Sequence, residues 1–296
     1  MNHALSWSQD VQYSQPVTDI IPRRYSCRTY APVPMEEATQ QRLRTFMSST
    51  QTGPFGTAVR FQLLAATEED PAALRGLGTY GFIQGATGFI VGAVQDGLKN
   101  LEDFGYCMEQ VVLLATDLGL GTCWLGGTFN RSTFAARAGL RAGEQMPAVT
   151  AVGYIAARRG LMDRIIRRGA GSDRRYPWSH QFFCSRLDQP LSAKDAGPYA
   201  QALEMVRLAP SASNKQPWRI IQDGSSWHFC LQRSPGYRRT ARLGRVPDMQ
   251  RVDMGIAMCH WELTAREAGL DGHWAVQQAP VPRPDDLTEY SATWLG

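Results

Sequence analysis

"DFGYCMEQVVLLATDLGLGTCW", residues 103–124, and "DMGIAMCHWELTAREAGLDGHW", residues 253–274, are two versions of one segment. Aligned without a gap, they share Asp103/Asp253, Gly105/Gly255, Leu113/Leu263, Ala115/Ala265, Gly119/Gly269, Leu120/Leu270 and Trp124/Trp274. A repeat of this kind sets the architecture before any single element is read. Each copy reads as a helix that ends in a turn. In the first copy Val111, Val112, Leu114, Ala115 and Leu118 recur at helical spacing, which predicts a helix buried over much of its circumference. Gly119 supplies the left-handed residue that commonly ends a helix, and Gly269 repeats it. The fixed Asp-x-Gly start and Gly-Leu-x-x-x-Trp end set the pair apart from a chance likeness of two amphipathic helices.

Working outward, each half mixes the same kinds of element. In the first, 36–48 reads as a helix after Pro32 and Pro34, and "VRFQLLAAT" and "PAVTAVGYIAA" read as strands. In the second, 197–208 reads as a helix, and "PWRIIQDG" with "SWHFCLQR" reads as a hairpin. The expected fold class is α+β, two similar layered halves packed against each other. The expected division is an irregular arm over 1–20, a first half over 21–157, a basic connector over 158–190 and a second half over 191–296.

Composition limits the function. At 296 residues two ordinary domains fit, and 43% hydrophobic with 20% charged residues describes a soluble chain with a real core. The net charge of +4 suits an anionic ligand but is too mild for a nucleic-acid footprint. Arginine supplies nearly all the positive charge, Lys99, Lys194 and Lys215 being the exceptions, and a genomic base bias explains that. Cys27, Cys107, Cys123, Cys184, Cys230 and Cys259 form no C-x-x-C pair, so no metal site is expected and the thiols read as free, in the cytosol. The opening residues lack the basic start and apolar core of a secretion signal, and no run is long enough to span a membrane.

Four stretches have the makings of a site. In "RRYSCRTY", Arg24, Ser26 and Arg28 alternate, so an extended segment projects them from one face as a phosphate receptor. Taken alone, a solvated basic strand is the ordinary reading. In "APSASNKQPW", Ser211, Ser213, Asn214 and Gln216 offer donors and acceptors between Pro210 and Pro217, either to read a polar ligand or to cap the preceding helix. In "GLGTCWLGGTF", the backbone N–H groups of Gly126 and Gly127 are open to a ligand, or the turn simply needs unusual dihedrals. In "DRRYPW", Arg174 and Arg175 add positive charge.

Together these stretches resemble the FMN-dependent nitroreductase family. Its early R-x-S-x-R-x-[FY] is matched by Arg24, Ser26, Arg28 and Tyr30, and its A-P-S-x-x-N-x-Q-P-W element by Ala209, Pro210, Ser211, Asn214, Gln216, Pro217 and Trp218. Its G-L-G-x-x-W-[IL]-G-G is matched by Gly119 through Gly127, and its late R-x-P by Arg175 and Pro177. Each half lacks what the other keeps. The first reads "TQTGPFGTAVRF" where the Ser and Asn belong, and the second has neither the arginine motif nor the paired glycines after Trp274. The chain is thus similar to the branch in which two nitroreductase-like halves are fused as an internal pseudo-dimer.

That resemblance implies one FMN site, with Arg24, Ser26, Arg28 and Arg175 at its phosphate, ribityl and pyrimidine contacts. The loop of Pro210, Ser211, Ala212, Ser213 and Asn214, with Gln216, would line it from the other half. The turn of Leu125, Gly126 and Gly127 would bring a catalytic N–H to the flavin's N5 and O4. It further implies hydride transfer from NADH or NADPH to a small aromatic or quinone-like acceptor, in a cytoplasmic monomer without nucleic-acid or membrane partners. Flavin storage without turnover, and an oxidase or dehydrogenase of a dedicated small molecule, are the competing readings. Tyr80, Phe82 and Tyr237 are candidate walls of the substrate pocket, in "GTYGFIQGATG" and beside "YRRTARLGR".

Overall fold

The repeated segments form two long helices that lie across each other, and everything else is arranged around them. The computed structural model describes residues 13–158, 160–172, 174–237, 246–277 and 285–296. In chain order its elements are α1 (Val17–Arg23), α2 (Glu37–Ser49), β1 (Val59–Ala65), β2 (Gly88–Gln95), α3 (Asn100–Asp117), β3 (Gly121–Leu125), α4 (Arg131–Arg137), β4 (Glu144–Gln145) and β5 (Val149–Gly153). The chain continues through α5 (Leu161–Ala170), α6 (Trp178–Gln181), β6 (Phe182–Cys184), α7 (Ala200–Leu208), β7 (Trp218–Asp223), β8 (Ser226–Gln232), α8 (Met249–Glu267), β9 (His273–Ala275) and β10 (Thr288–Leu295).

Each half has one sheet. The first runs β1-β2-β5-β3 with β4 beside β2, and the second runs β6-β7-β8-β10-β9. Among the described residues, the named strands pair antiparallel except β6 with β7. The mixed helix and sheet content and the two sheets agree with the expected class. Strand β2, "GFIVGAVQ", is buried at every position but its last, because both faces of the sheet are covered. The connector is more than a spacer: β6 lies within 158–190 yet joins the second half's sheet. The end of the expected irregular arm is helical as well, since α1 begins at Val17, and Thr18 Oγ1 donates to Glu267 at 2.6 Å.

Helices α3 and α8 meet at their glycines. A Cβ on Gly255 would lie 2.8 Å from the carbonyl carbon of Glu102 and 2.8 Å from the nitrogen of Tyr106. Reciprocally, a Cβ on Gly105 would lie 3.0 Å from the carbonyl carbon of Val252. The relation 102/252 and 105/255 repeats the spacing of the sequence repeat, so the two copies cross about a local two-fold. All but two of α3's 18 residues are buried. Polar bonds cross the seam as well: Arg251 Nε and Nη2 donate to Glu102 at 3.0 and 2.6 Å, and Tyr106 Oη donates to Glu262 at 2.8 Å.

The repeated aspartates explain themselves in this frame. Asp103 accepts from the N–H groups of Phe55 and Thr57, each at 2.9 Å, and Asp253 accepts from that of Ala212 at 2.9 Å. Each long helix therefore uses the same residue to pin the loop that enters its half's sheet.

Candidate functional site

After α1 the chain runs extended. Ser26 forms a bridge with Thr122, and the N–H of Cys27 donates to the Thr122 carbonyl at 2.8 Å. This lays the segment beside β3, with Cys27 buried. Arg24, Ser26 and Arg28 all face a cavity. Arg28 Nη1 pairs with Asp163 of α5 at 3.1 Å, and Arg24 Nε stands 3.9 Å from Glu109 of α3.

The opposite wall comes from the second half. Helix α7 stops at Leu208, and residues 209–216 fold into a tight loop in which the N–H of Gln216 donates to Ser211 Oγ at 2.8 Å. Ser213, Asn214 and Gln216 have φ of 51°, 54° and 46°. Left-handed backbone is costly for residues with a Cβ, and three such residues in four positions mark a loop held in shape by its surroundings. Those surroundings are Asp253 below and the connector above. Asn214 Nδ2 donates to the carbonyls of Gly171 at 2.8 Å and Arg174 at 3.0 Å. Arg175 Nη2 donates to the Leu208 carbonyl at 3.1 Å, and its Nη1 reaches Asn214 Oδ1 at 3.4 Å.

Between the walls lies a cavity of ≈ 290 Å³. Arg24, Ser26 and Arg28 line one side, Pro210, Ser211, Ser213 and Asn214 the other, and Ser172 and Arg175 of the connector close it. Residues separated by nearly two hundred positions thus share one guanidinium- and hydroxyl-rich space. Such a set of donors can hold a phosphate and a polyol, and nothing in it resembles an acid–base pair poised for proton transfer.

Five of the expected residues are not among those lining this cavity. Leu125 is the buried end of β3 and packs in the first half's outer core. Gly126 gives its carbonyl to Arg131 Nη2 at 2.7 Å, and the Met249 side chain fills the place where its Cβ would be. Gly127 has open space where its Cβ would be. Ala212 turns its N–H away to Asp253. Gln216 is buried, accepting from the N–H of Tyr176 at 2.9 Å and donating to the Asn214 carbonyl at 3.2 Å, so it braces the loop. Tyr80 and Phe82 are exposed. Tyr237 accepts from the N–H of Met249 at 3.0 Å, and burial pushes its phenol up to about 12. Residues 238–245 of the other expected wall lie outside the described residues.

The structure also brings in residues that motif reading passes over: Asp163, Ser172, Glu109, His260 and Asp253. Burial holds the Asp253 carboxyl well above the usual carboxylate range, and its Oδ2 has no hydrogen-bond partner among the described residues. Asp103 is raised to about 6, again by burial, against the pull of its two N–H donors. A signal for some of these was present. Asp103 and Asp253 begin both copies of the repeat, and Glu109 and His260 are polar residues in helices predicted to be buried.

The family model described as "Putative TM nitroreductase" matches residues 16–265, which is most of the chain. The chain belongs to this family. Its fold is that of the "putative nitroreductase" of Thermotoga maritima MSB8, whose crystal structure superposes with a TM-score of 0.60 over 98% of this chain and 97% of that one, at 17% identity. Two smaller proteins superpose on about half of the chain. A nitroreductase family protein of Clostridium difficile 630 covers 55% of this chain and 94% of its own at 18% identity, with a TM-score of 0.40. A "putative nitroreductase in complex with FMN" of Desulfovibrio desulfuricans covers 51% and 95% at 22% identity, with a TM-score of 0.37. Comparison with curated proteins gives no match. Among the described residues, no helix is long and apolar enough to cross a membrane, and no three His, Cys, Asp or Glu side chains group as a metal site.

Proposed function

We propose that this nitroreductase-family chain binds one FMN in the cavity between its halves and acts as an oxidoreductase. In this reading it passes a hydride from NADH or NADPH to a small aromatic or quinone-like acceptor. The observation that carries the reading is the composite wall, in which Arg24, Ser26 and Arg28 face Ser211, Ser213 and Asn214 across ≈ 290 Å³ with Arg175 between them. That donor set fits a flavin mononucleotide: forked guanidiniums match a phosphate, and hydroxyls match a ribityl chain. Family membership supports the same class of chemistry.

The chemistry that such a cofactor supplies when bound is two-electron hydride transfer, and the protein contributes binding and orientation. Arg24 and Arg28 hold the anionic end, and Asp163 fixes Arg28 from behind. Arg175 and Asn214 tie the connector to the loop, so the second wall is shaped before any ligand arrives. Only one such site is expected per chain. In the first half the loop corresponding to 209–216 reads "QTGPFGT" and has neither the serines nor the asparagine. With both walls in one chain, a monomer in the cytoplasm suffices.

The visible spectrum of the purified protein is the first test. Bound flavin at one equivalent per chain, lost largely on either Arg24→Ala or Asn214→Ala, is the expected result. Anaerobic bleaching by NADH or NADPH, with steady turnover on a nitroaromatic or a quinone, completes it. A chain that takes up no FMN overturns the reading, and two equivalents overturn its asymmetry. Bound flavin bleached by neither nucleotide leaves storage, or a dedicated substrate that reduces the flavin directly.

A further inference from the structure

Beside the cavity, the connector and the second half meet in a surface cluster that the site described above does not use. Arg219 of β7 donates from Nη1 to the carbonyls of Gln216 at 3.1 Å and Trp218 at 2.7 Å, and its Nη2 lies 3.1 Å from His180 Nε2 of α6. Tyr176 completes the cluster, its ring centre 4.7 Å from that of His180 and 6.0 Å from the Arg219 guanidinium carbon. Tyr176 and His180 are exposed, and Arg219 is half-buried. Tyr176 follows Arg175, and its N–H donates to Gln216 Oε1 at 2.9 Å, so the cluster adjoins the cavity through the connector and through the loop.

Hydrogen-bond chemistry fixes the charge here. A guanidinium only donates, so His180 Nε2 accepts, and the ring is neutral with its proton on Nδ1. Burial and the Arg219 charge both hold His180 below the usual histidine value, in keeping with that tautomer. Among the described residues, the hydrogen-bond partners of Arg219 are thus two carbonyls and a neutral imidazole, and none is a carboxylate. Arg28 and Arg233 differ, each being matched by an acid. The bonds of Arg219 use Nη1 fully and Nη2 once, so Nη2 and Nε each keep an N–H for a ligand. A partly desolvated guanidinium without a counter-charge gains most from an anion, and beside an aromatic face it suits a phosphate carried next to a planar base.

We propose that Tyr176, His180 and Arg219 form the subsite for the phosphorylated adenosine ribose of the hydride donor, and that the chain takes NADPH in preference to NADH. This rests on the flavin reading of the cavity, and adds to it which nicotinamide nucleotide is used and which residues read its far end. With a flavin filling the cavity, the adenosine end of a dinucleotide lies outside it, over the rim that Tyr176 borders. The two nucleotides differ only by the phosphate on that ribose, so a forked guanidinium is the group that tells them apart. Arg219 and the Nδ1–H of His180 hold the phosphate, and Tyr176 carries the adenine.

The test uses the full chain loaded with FMN and reads two ratios. One compares NADPH with NADH in the concentration that half-saturates anaerobic bleaching of the flavin. The other compares adenosine 2′,5′-bisphosphate with AMP in affinity, measured by calorimetry. In each pair the natural chain should favour the 2′-phosphorylated member by about tenfold or more. Arg219→Gln should bring both ratios to within about threefold of unity. His180→Glu leaves Arg219 in place but gives it a carboxylate, and should do the same. Both variants should retain FMN as the natural chain does, whereas loss of FMN from both would show a merely structural role and overturn the assignment. If Arg219→Gln does not fold, His180→Glu decides alone. A natural chain that lacks the preference in one pair or the other, or a folded variant that keeps it, overturns this proposal only. A chain that takes up no FMN, or whose flavin neither nucleotide bleaches, overturns the reading of the cavity and this proposal together.

Discussion

Gly255→Ala puts one methyl group at the crossing of α3 and α8. Its carbon would lie 2.8 Å from the backbone carbon of Glu102 and from the nitrogen of Tyr106, where ordinary contact begins at 3.4 Å. The Glu102 carbonyl oxygen is closer still, and all three opposing atoms are main chain, so no side chain can swing aside and the helices must part by more than 0.6 Å. Overpacking of a well-filled core costs roughly 1–3 kcal/mol, and a backbone obstacle places this site at the upper end. Separation also stretches the bonds from Arg251 to Glu102 and from Tyr106 to Glu262, whose partners are part of the same seam. Against this, alanine is the better helix former by about 1 kcal/mol. The net expectation is a loss of about 2 kcal/mol or more, which lowers the melting temperature by roughly 4–8 °C. Gly169→Ala in α5 is the control, because none of the described atoms lies within 4 Å of its Cβ, and it should be neutral or stabilising. Urea or thermal unfolding of the two variants measures both. A Gly255→Ala chain as stable as the natural one refutes the close crossing, and Gly105→Ala added to it should cost less than it does alone, since the gap is already open.

Stability should depend on pH through Asp103. Its folded-state value is raised from 3.8 to about 6 by burial, so the folded chain binds that proton more tightly than the unfolded one. Its contribution is most favourable below about pH 4, falls by about 3 kcal/mol as pH rises to 6, and is constant above that. Unfolding free energies of the natural chain and Asp103→Asn, compared at pH 4, 5, 6 and 7, should differ by an amount that changes in this window, and a constant difference would refute the shift. Ser213→Gly should raise stability by about 1 kcal/mol, because glycine adopts φ of 51° without strain. A melting temperature unchanged or lowered in the ligand-free chain would show that the loop is not strained there.

The repeat pointed to two halves, and the motif spacings singled out two stretches that line one cavity, because both signals are written in short runs of sequence. Elements set by distant partners were harder to read. Strand β2 is a continuous apolar run, which periodicity alone leaves open between strand and helix. Strand β10, "TEYSATWL", contains buried Ser291 and Thr293, and reads as polar until His228 is placed 2.8 Å from the Thr293 hydroxyl. Motif spacing also names residue types without giving their direction. The left-handed turns at Ser213, Asn214 and Gln216 swing Gln216 inward to Tyr176, and the contact with Met249 explains Gly126 as packing. Glu109 and His260 are in different halves, and no spacing rule connects two residues that meet across a seam.

The crossing of α3 and α8 has a consequence for how the chain is made. Helix α3 ends at residue 117 and α8 at residue 267, so α3 is complete on the ribosome well before its partner exists. At translation speeds of about 5–20 residues per second, the interval is roughly 8–30 s. Throughout it, a helix destined to be buried on nearly all sides has one side bare. The finished α8 of a neighbouring chain offers the same fit, so polysome crowding favours exchanged dimers in which each long helix pairs with a foreign partner. Low expression temperature and holdase chaperones should therefore lower the share of such exchanged dimers, and size-exclusion profiles of fresh lysates would reveal the exchange.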